Sequence, residues 1–546
     1  MQKAPHLLLY VIVALLIVGL PTACRRTDNT EGKMIFRYNE CAGIGTLDPA
    51  FAKDQALIWA TSQLFGGLVR LDNDLIPQPH IAKNWEISAD GLHYTFHLRN
   101  DVQFHRNAAF GTPDSTRRVT AHDFTYSLLR LNDPALASPG MWVLSQVDSN
   151  GISAADDSTL LIRLRTPLPY FLSLLAMPYC SVVPREVVER YGADFRKHPC
   201  GTGPFQLQLW KENVKLVLRR NPLYFERDSN GARLPRLDAV AITFIADKQT
   251  AFLQFVQGKL DFLNSIDASY KDELLTRTGQ LREKYAHRIV MQAQDFLNTE
   301  YLGFNMADIA APTADRRIRQ AISCGFDRAK MMKYLRNGVG QPGTGGMIPP
   351  SLLPSQQGSP DYGYTYDPER AKELLAAAGY PNGAGLPPIH LSTTAGYLDL
   401  CRFIQQQLSL IGIEVRIDVN PPAALREQIA QGKTSWFRGS WIADYPDAEN
   451  YMSLFYSPNS APTGPNYTRT QIPALDRLYR RALLETDFDQ RATTYRQMDS
   501  LMMANAPVII LYYDQILHFT HPNVHGLRSN AMNSLDLRYT TIDPRP

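Results

Sequence analysis

Ile413-Glu414-Val415-Arg416-Ile417-Asp418-Val419 decides the fold. Its β-branched residues alternate with charged ones at a period of two, the pattern of a half-buried strand. Residues 398–411 before it have helical spacing that stops at Gly412, and residues 388–394 before those read as another strand. Further upstream, Asp367-Pro368-Glu369 supplies an N-cap, a proline at the first helical position and an acidic first turn. The helix over 371–378 then ends at Gly379. Downstream, the pattern predicts a helix over 423–430 and a strand over 434–441, with Asp444 just past its end. Strands alternating with helices imply an α/β, largely parallel, doubly wound sheet, whose ligands sit beyond the carboxyl ends of the strands.

Asp444 lies in Arg438-Gly439-Ser440-Trp441-Ile442-Ala443-Asp444-Tyr445-Pro446-Asp447, which sets a cation and an anion six residues apart in an aromatic run. In an extended chain, residues an even number apart share a face. Buried charges persist only when paired, so an Arg and an Asp held apart on one face suit a ligand that carries both opposite charges, such as a short peptide. Asp444 would take the ammonium and the planar fork of Arg438 the carboxylate. The composition of Asp444-Tyr445-Pro446-Asp447 fits a plain surface turn equally well.

The N-terminus reads as an export signal: Lys3, an apolar run over 7–20, then Thr22 and Ala23 before Cys24. The apolar run is short for a membrane span. Hydrophobic residues at 44%, charged residues at 20% and a formal net charge of +3 describe an ordinary globular chain, and without a long basic run nucleic acid is not an expected partner. The six cysteines form no CxxC pair, which argues against structural zinc. Cys180 and Cys200 are either a disulfide of an oxidising compartment or buried thiols.

Enzyme signatures are absent from the sequence: there is no GxSxG, HExxH or P-loop. The segment 338–343 matches GxGxxG in form, but Pro342 and the glycines and prolines after it replace the required helix, so it reads as a mobile loop. His93 and His97 share a strand face without further metal ligands. No catalytic residue, metal site or cofactor is assigned. Strands are also expected over 92–98, 159–165, 214–219 and 240–245, and a helix over 315–326.

An ordered series of motifs then carries a resemblance. Thr46-Leu47-Asp48-Pro49, Leu64-Phe65-Gly66-Gly67-Leu68-Val69 and Ala82-Lys83-Asn84-Trp85-Glu86-Ile87 are followed by Gly201-Thr202-Gly203-Pro204-Phe205, Arg220-Asn221-Pro222-Leu223-Tyr224, Gly258-Lys259-Leu260-Asp261 and Arg319-Gln320-Ala321-Ile322. In this order they resemble the family 5 solute-binding proteins of peptide ABC importers, the dipeptide- and oligopeptide-binding group. Leu20-Pro21-Thr22-Ala23-Cys24 resembles a lipobox, with Pro21 where Leu is usual; the other reading is an ordinary signal cut after Ala23.

The resemblance implies a large type II periplasmic-binding-protein clamshell, two-lobed, with an extra α+β domain inserted in lobe I. The implied layout is a signal peptide over 1–23, a lipid-anchored tether over 24–33, lobe I over 34–52, 179–298 and 514–546, the accessory domain over 53–178, and lobe II over 299–513. It implies binding of short peptides outside the cytoplasm, in the periplasm or at the cell surface. Delivery would be to a permease and ATPase complex by a monomer anchored to the membrane through Cys24. Asp444 and Arg438 match the segment that holds the peptide's two ends, with Trp441 beside them. Glu40 and Cys41 match a backbone-pairing edge, and Asn264, Ser265 and Tyr513 match pocket-facing positions. Two departures stand out: Phe104-His105-Arg106-Asn107 replaces the family's Phe-His-Asp-Gly, and Ile442 stands where some oligopeptide binders carry a cysteine. The alternatives are the same fold binding a metal chelate, haem or an oligosaccharide, and a secreted hydrolase.

Overall fold

A computed structural model describes residues 32–353 and 362–544. The expected signal segment, Cys24 and most of the tether lie outside the described residues. Two long strands, Val290–Phe304 and Val508–Thr520, pair antiparallel with each other and run through the middle of the molecule. Among the described residues they belong to an 11-stranded sheet that both lobes share.

On one side of this pair lies the α/β unit expected from the sequence. Ile389–Thr393 sits between Val415–Val419 and Trp436–Ile442, parallel to both. Its connecting helices are Leu398–Ser409 and Pro422–Ala430. The helix Pro368–Ala377 precedes it, with the side chain of Asp367 accepting from the amide of Arg370, as the capping pattern requires. Successive residues of Trp436–Ile442 enter opposite cores. Trp436 packs with Leu391, Ile404, Leu408 and Val415, whereas Phe437 packs with Tyr451, Met498 and Met502. Burial on both faces is what a doubly wound sheet demands.

On the other side, Ile35–Asn39 lies between Phe262–Asn264 and Ala239–Thr243, parallel to both, and Lys215–Arg220 and Phe205–Lys211 extend the sheet antiparallel. The sheet is therefore mixed rather than largely parallel. Trp436–Ile442 runs antiparallel to Val290–Phe304, from Asn298 opposite Ile442 to Phe304 opposite Trp436.

The crossing pair is irregular where the sequence places the passage between lobes. Asp295 faces Gln515 and Thr299 faces Tyr513, with a register shift between them and another between Glu300 and Tyr301. The segment 338–343 is not a loose loop. Gln341–Pro342 pairs with Tyr512 and Tyr513, adding a two-residue strand beside the crossing.

The accessory region contains a four-stranded antiparallel sheet in the order Ala82–Ile87, His93–Leu98, Thr159–Leu164, Val147–Asp156, and the helix Ala121–Leu131. Its core residues Phe96, Phe124 and Leu160 join a single cluster with Phe36, Trp59 and Phe262 of lobe I. Trp59, within the expected accessory range, packs edge-on against Tyr38 and Phe262, with ring centroids 6.0 and 5.9 Å apart. The helix Gln55–Leu64 that carries it thus belongs by packing to lobe I. Cys180 and Cys200 are separate buried thiols, the second donating to the carbonyl of His105 at 3.3 Å.

Candidate ligand-binding site

The strand Trp436–Ile442 can carry an arginine and a glycine at its centre because a ring crosses it there. A Cβ on Gly439 would lie 2.6 Å from Cζ of Tyr301. The strand ends at Ile442, and the chain then bends through Ala443 to Ala448 into the short helix Glu449–Met452. Asn450, buried in that helix, organises the bend. Its Oδ1 accepts from Nε1 of Trp441 at 2.8 Å and from the amide of Asp444 at 3.1 Å. Asp447 ties the bend to the helix Phe488–Asn505 through a buried ion pair with Arg491 at 2.6 Å.

Asp444 opens onto a cavity of about 810 Å³, within the size class that holds small solutes. One wall comes from the accessory region, with Trp142, Leu168 and Tyr170, and the other from lobe II, with Trp441, Tyr445 and Tyr479. The walls touch where Tyr445 stacks on Tyr170, ring centroids 4.9 Å apart and nearly parallel. Such a contact adds about 0.5–1.5 kcal/mol beyond its buried area.

The carboxylate of Asp444 meets the water of the cavity, yet protein surrounds it on most sides. Burial pushes its pKa up from the ordinary carboxylate range, and a hydrogen bond from Asn450 pulls the other way. No cation pairs with it among the described residues. Glu449, buried deeper beside the same cavity, is different. Its pKa is also raised by burial, but its carboxylate accepts from the hydroxyls of Tyr445 and Tyr479.

The structure does not bring Arg438 to Asp444. Arg438 is absent from the cavity lining, forms an ion pair with Glu300 in which only 12% and 4% of the two side chains are exposed, and lies 3.2 Å over the ring centroid of Tyr397. The shared-face reading fails because it needed seven extended residues, and the strand stops two short of Asp444. The turn composition of Asp444-Tyr445-Pro446-Asp447 prevailed locally. Trp441 does line the cavity.

Tyr513 is 6% exposed and packed in the lobe II core, its hydroxyl donating to the carbonyl of Gly346 at 2.6 Å, so a ligand would have to displace that bond. The first strand is no open edge, since both its sides are paired. Glu40 and Cys41 follow its carboxyl end, where the amide of Glu40 donates to Thr243 at 2.9 Å and the thiol of Cys41 accepts from Asn39 at 3.3 Å. Burial raises the pKa of both side chains. Asn264 and Ser265 end the neighbouring parallel strand, so these four residues gather at the strand ends of lobe I, apart from the Asp444 cavity. Sequence reasoning missed Asn450, Tyr170 and Glu449. An Asn six residues after an Asp carries no motif, and a tyrosine from another region carries no local signal at all.

Comparison with known proteins fits this geometry. Residues 77–463 match the family model described as bacterial extracellular solute-binding proteins, family 5 middle. The glutathione-binding protein GsiB of Salmonella choleraesuis is 27% identical over 492 residues, covering 88% of this chain and 89% of the relative. Among solved structures, the periplasmic binding protein DppA from Helicobacter pylori in complex with the peptide STSA superposes with a TM-score of 0.76 at 25% identity, covering 93% of this chain and 98% of that one. The murein tripeptide binding protein MppA of Escherichia coli superposes with a TM-score of 0.71 at 25% identity, covering 94% and 99%. A family model matched over residues 77–463 and a two-lobed clamshell matched along most of its length make the assignment: the chain belongs to the bacterial extracellular solute-binding proteins of family 5.

Proposed function

We propose that this protein captures short peptides outside the cytoplasm and delivers them to an ABC permease, Asp444 receiving the peptide's ammonium. The observation that carries the reading is the carboxylate of Asp444, which faces a solute-sized cavity and has no cation paired with it among the described residues. Burial makes its charged form costly, and a ligand ammonium is the group that would offset the cost. Tyrosine and tryptophan walls give apolar area with few sequence demands, suited to side chains of varied kind. The relatives that bind glutathione, a peptide or a murein tripeptide by name point to the same ligand class. Mass spectrometry of ligands released from purified protein tests it: short peptides with free amino ends are the expected content. Calorimetry giving equal affinity for free and N-acetylated forms of one released peptide would remove Asp444 from the role.

The same reading places the protein on a membrane through lipid on Cys24. One acyl chain holds a protein only marginally, so stable anchoring needs at least two. Cys24→Ala should move the protein from the membrane fraction to the soluble one, and unchanged membrane association would sink the anchor.

A further inference from the structure

The cavity beside Asp444 contains an unused cation. Arg480 stands on the helix Pro473–Leu484, lines the cavity and is open to its water. The preceding residue, Tyr479, is buried and bonded to Glu449, which fixes the orientation of this stretch of helix. Arg481, the next residue, donates to Thr494 at 3.3 Å. Arg480 has no hydrogen bond, ion pair or ring contact among the described residues. Of the described residues lining the cavity it is the one cation, and Asp444 is the one carboxylate not already held by tyrosine hydroxyls.

Arg438 is poorly placed for a ligand's carboxylate, being committed to Glu300 and outside the cavity. We infer that Arg480 receives the carboxylate of a ligand whose ammonium sits on Asp444, so that the cavity selects short zwitterions charged at both ends. Leu168, Leu174 and Leu483, also in the lining, are available to the side chains between. A guanidinium suits this task because its fork matches a carboxylate and its charge persists at any physiological pH. The exposure of Arg480 sets the scale: a partly solvated pair is worth a severalfold effect, not a thousandfold one. The inference rests on the peptide reading and adds recognition of the ligand's second charged end to it.

The test offers the mature chain an equimolar random tripeptide library in three forms: free, N-acetylated and C-terminally amidated. Retained peptides are counted by mass spectrometry after gel filtration. The unaltered protein should retain free over amidated tripeptides by about twofold to fivefold. Arg480→Gln should erase that preference while still rejecting the N-acetylated form, with an unchanged melting temperature because the side chain is exposed. Arg480→Lys should restore part of the preference. An unaltered protein that rejects N-acetylated peptides but accepts free and amidated ones equally would overturn the role of Arg480 alone, as would a preference that survives Arg480→Gln. Retention of no peptide in any form would overturn this inference and the peptide reading together.

Discussion

The crossing between the lobes and the cavity beside it treat charge in opposite ways. At the crossing, Glu300 pairs with Arg438 and Asp514 with Arg336, while Asn298 bridges the two carboxylates at 3.2 and 3.3 Å. In the cavity, Asp444 stands without a cation, and Arg480 without an anion, among the described residues. Burial raises the pKa of Glu300 at the crossing and of Asp444 in the cavity alike. The difference shows which charges the fold neutralises for itself and which it leaves for something that arrives later. A buried pair contributes little net stability yet is costly to break, whereas an unpaired charge facing a cavity costs stability until a partner comes.

Breaking the self-contained region should give the larger effect. Arg438→Ala leaves Glu300 buried without its cation, a loss of about 3–5 kcal/mol in folding stability. A chemical denaturation midpoint close to that of the unaltered protein would mean that the pair is not structural. Replacing both partners, Arg438→Met with Glu300→Met, should recover most of the loss.

Asp444→Asn should do the reverse. Ligand affinity should drop by about 2–5 kcal/mol, on the order of thirty-fold to several-thousand-fold, while the empty protein unfolds at the same or a slightly higher temperature, because an uncompensated charge is removed. A variant that binds normally but unfolds early would place Asp444 with the structural charges.

A third carboxylate sharpens the contrast through pH. Asp499 has no cation among the described residues either, but its oxygens accept from the amides of Met347 and Ile348 and from the hydroxyl of Tyr362, and burial pushes its pKa up to about 7. In the unfolded chain it titrates near the ordinary value of about 4. Between these values the folded protein holds a proton that the unfolded chain has lost. Its contribution to stability is therefore complete below about pH 4 and declines as pH rises to about 7, by at most about 1.4 kcal/mol per pH unit. Comparing melting temperatures across this range in the unaltered protein and in Asp499→Asn checks the sign. A variant with the same slope would show that Asp499 titrates normally.

Local patterns in the sequence held where local physics governs. The alternation around Val415, the cap at Asp367 and the glycine stops predicted the α/β unit of lobe II nearly to its element ends, because period and capping are properties of a few neighbouring residues. The reading that set Arg438 and Asp444 on one face for the two ends of a ligand missed Glu300, the partner that holds Arg438, because it lies 138 residues away in sequence and enters through strand pairing. Tyr170 and Arg480 were invisible for the same reason. Each matters through what another region of the chain places beside it.

The register shifts in the crossing strands also have a mechanical meaning. The lobes share one hydrogen-bonded ribbon, so any swing between them is a flexing of that ribbon, and it concentrates where the ladder has lost its regular rungs, between Asp295 and Tyr301. The Arg336–Asp514–Asn298–Glu300–Arg438 chain spans that weak point from one strand to the next. It acts as a strain gauge laid across a flexure: when the ribbon bends, these contacts lengthen or shorten first.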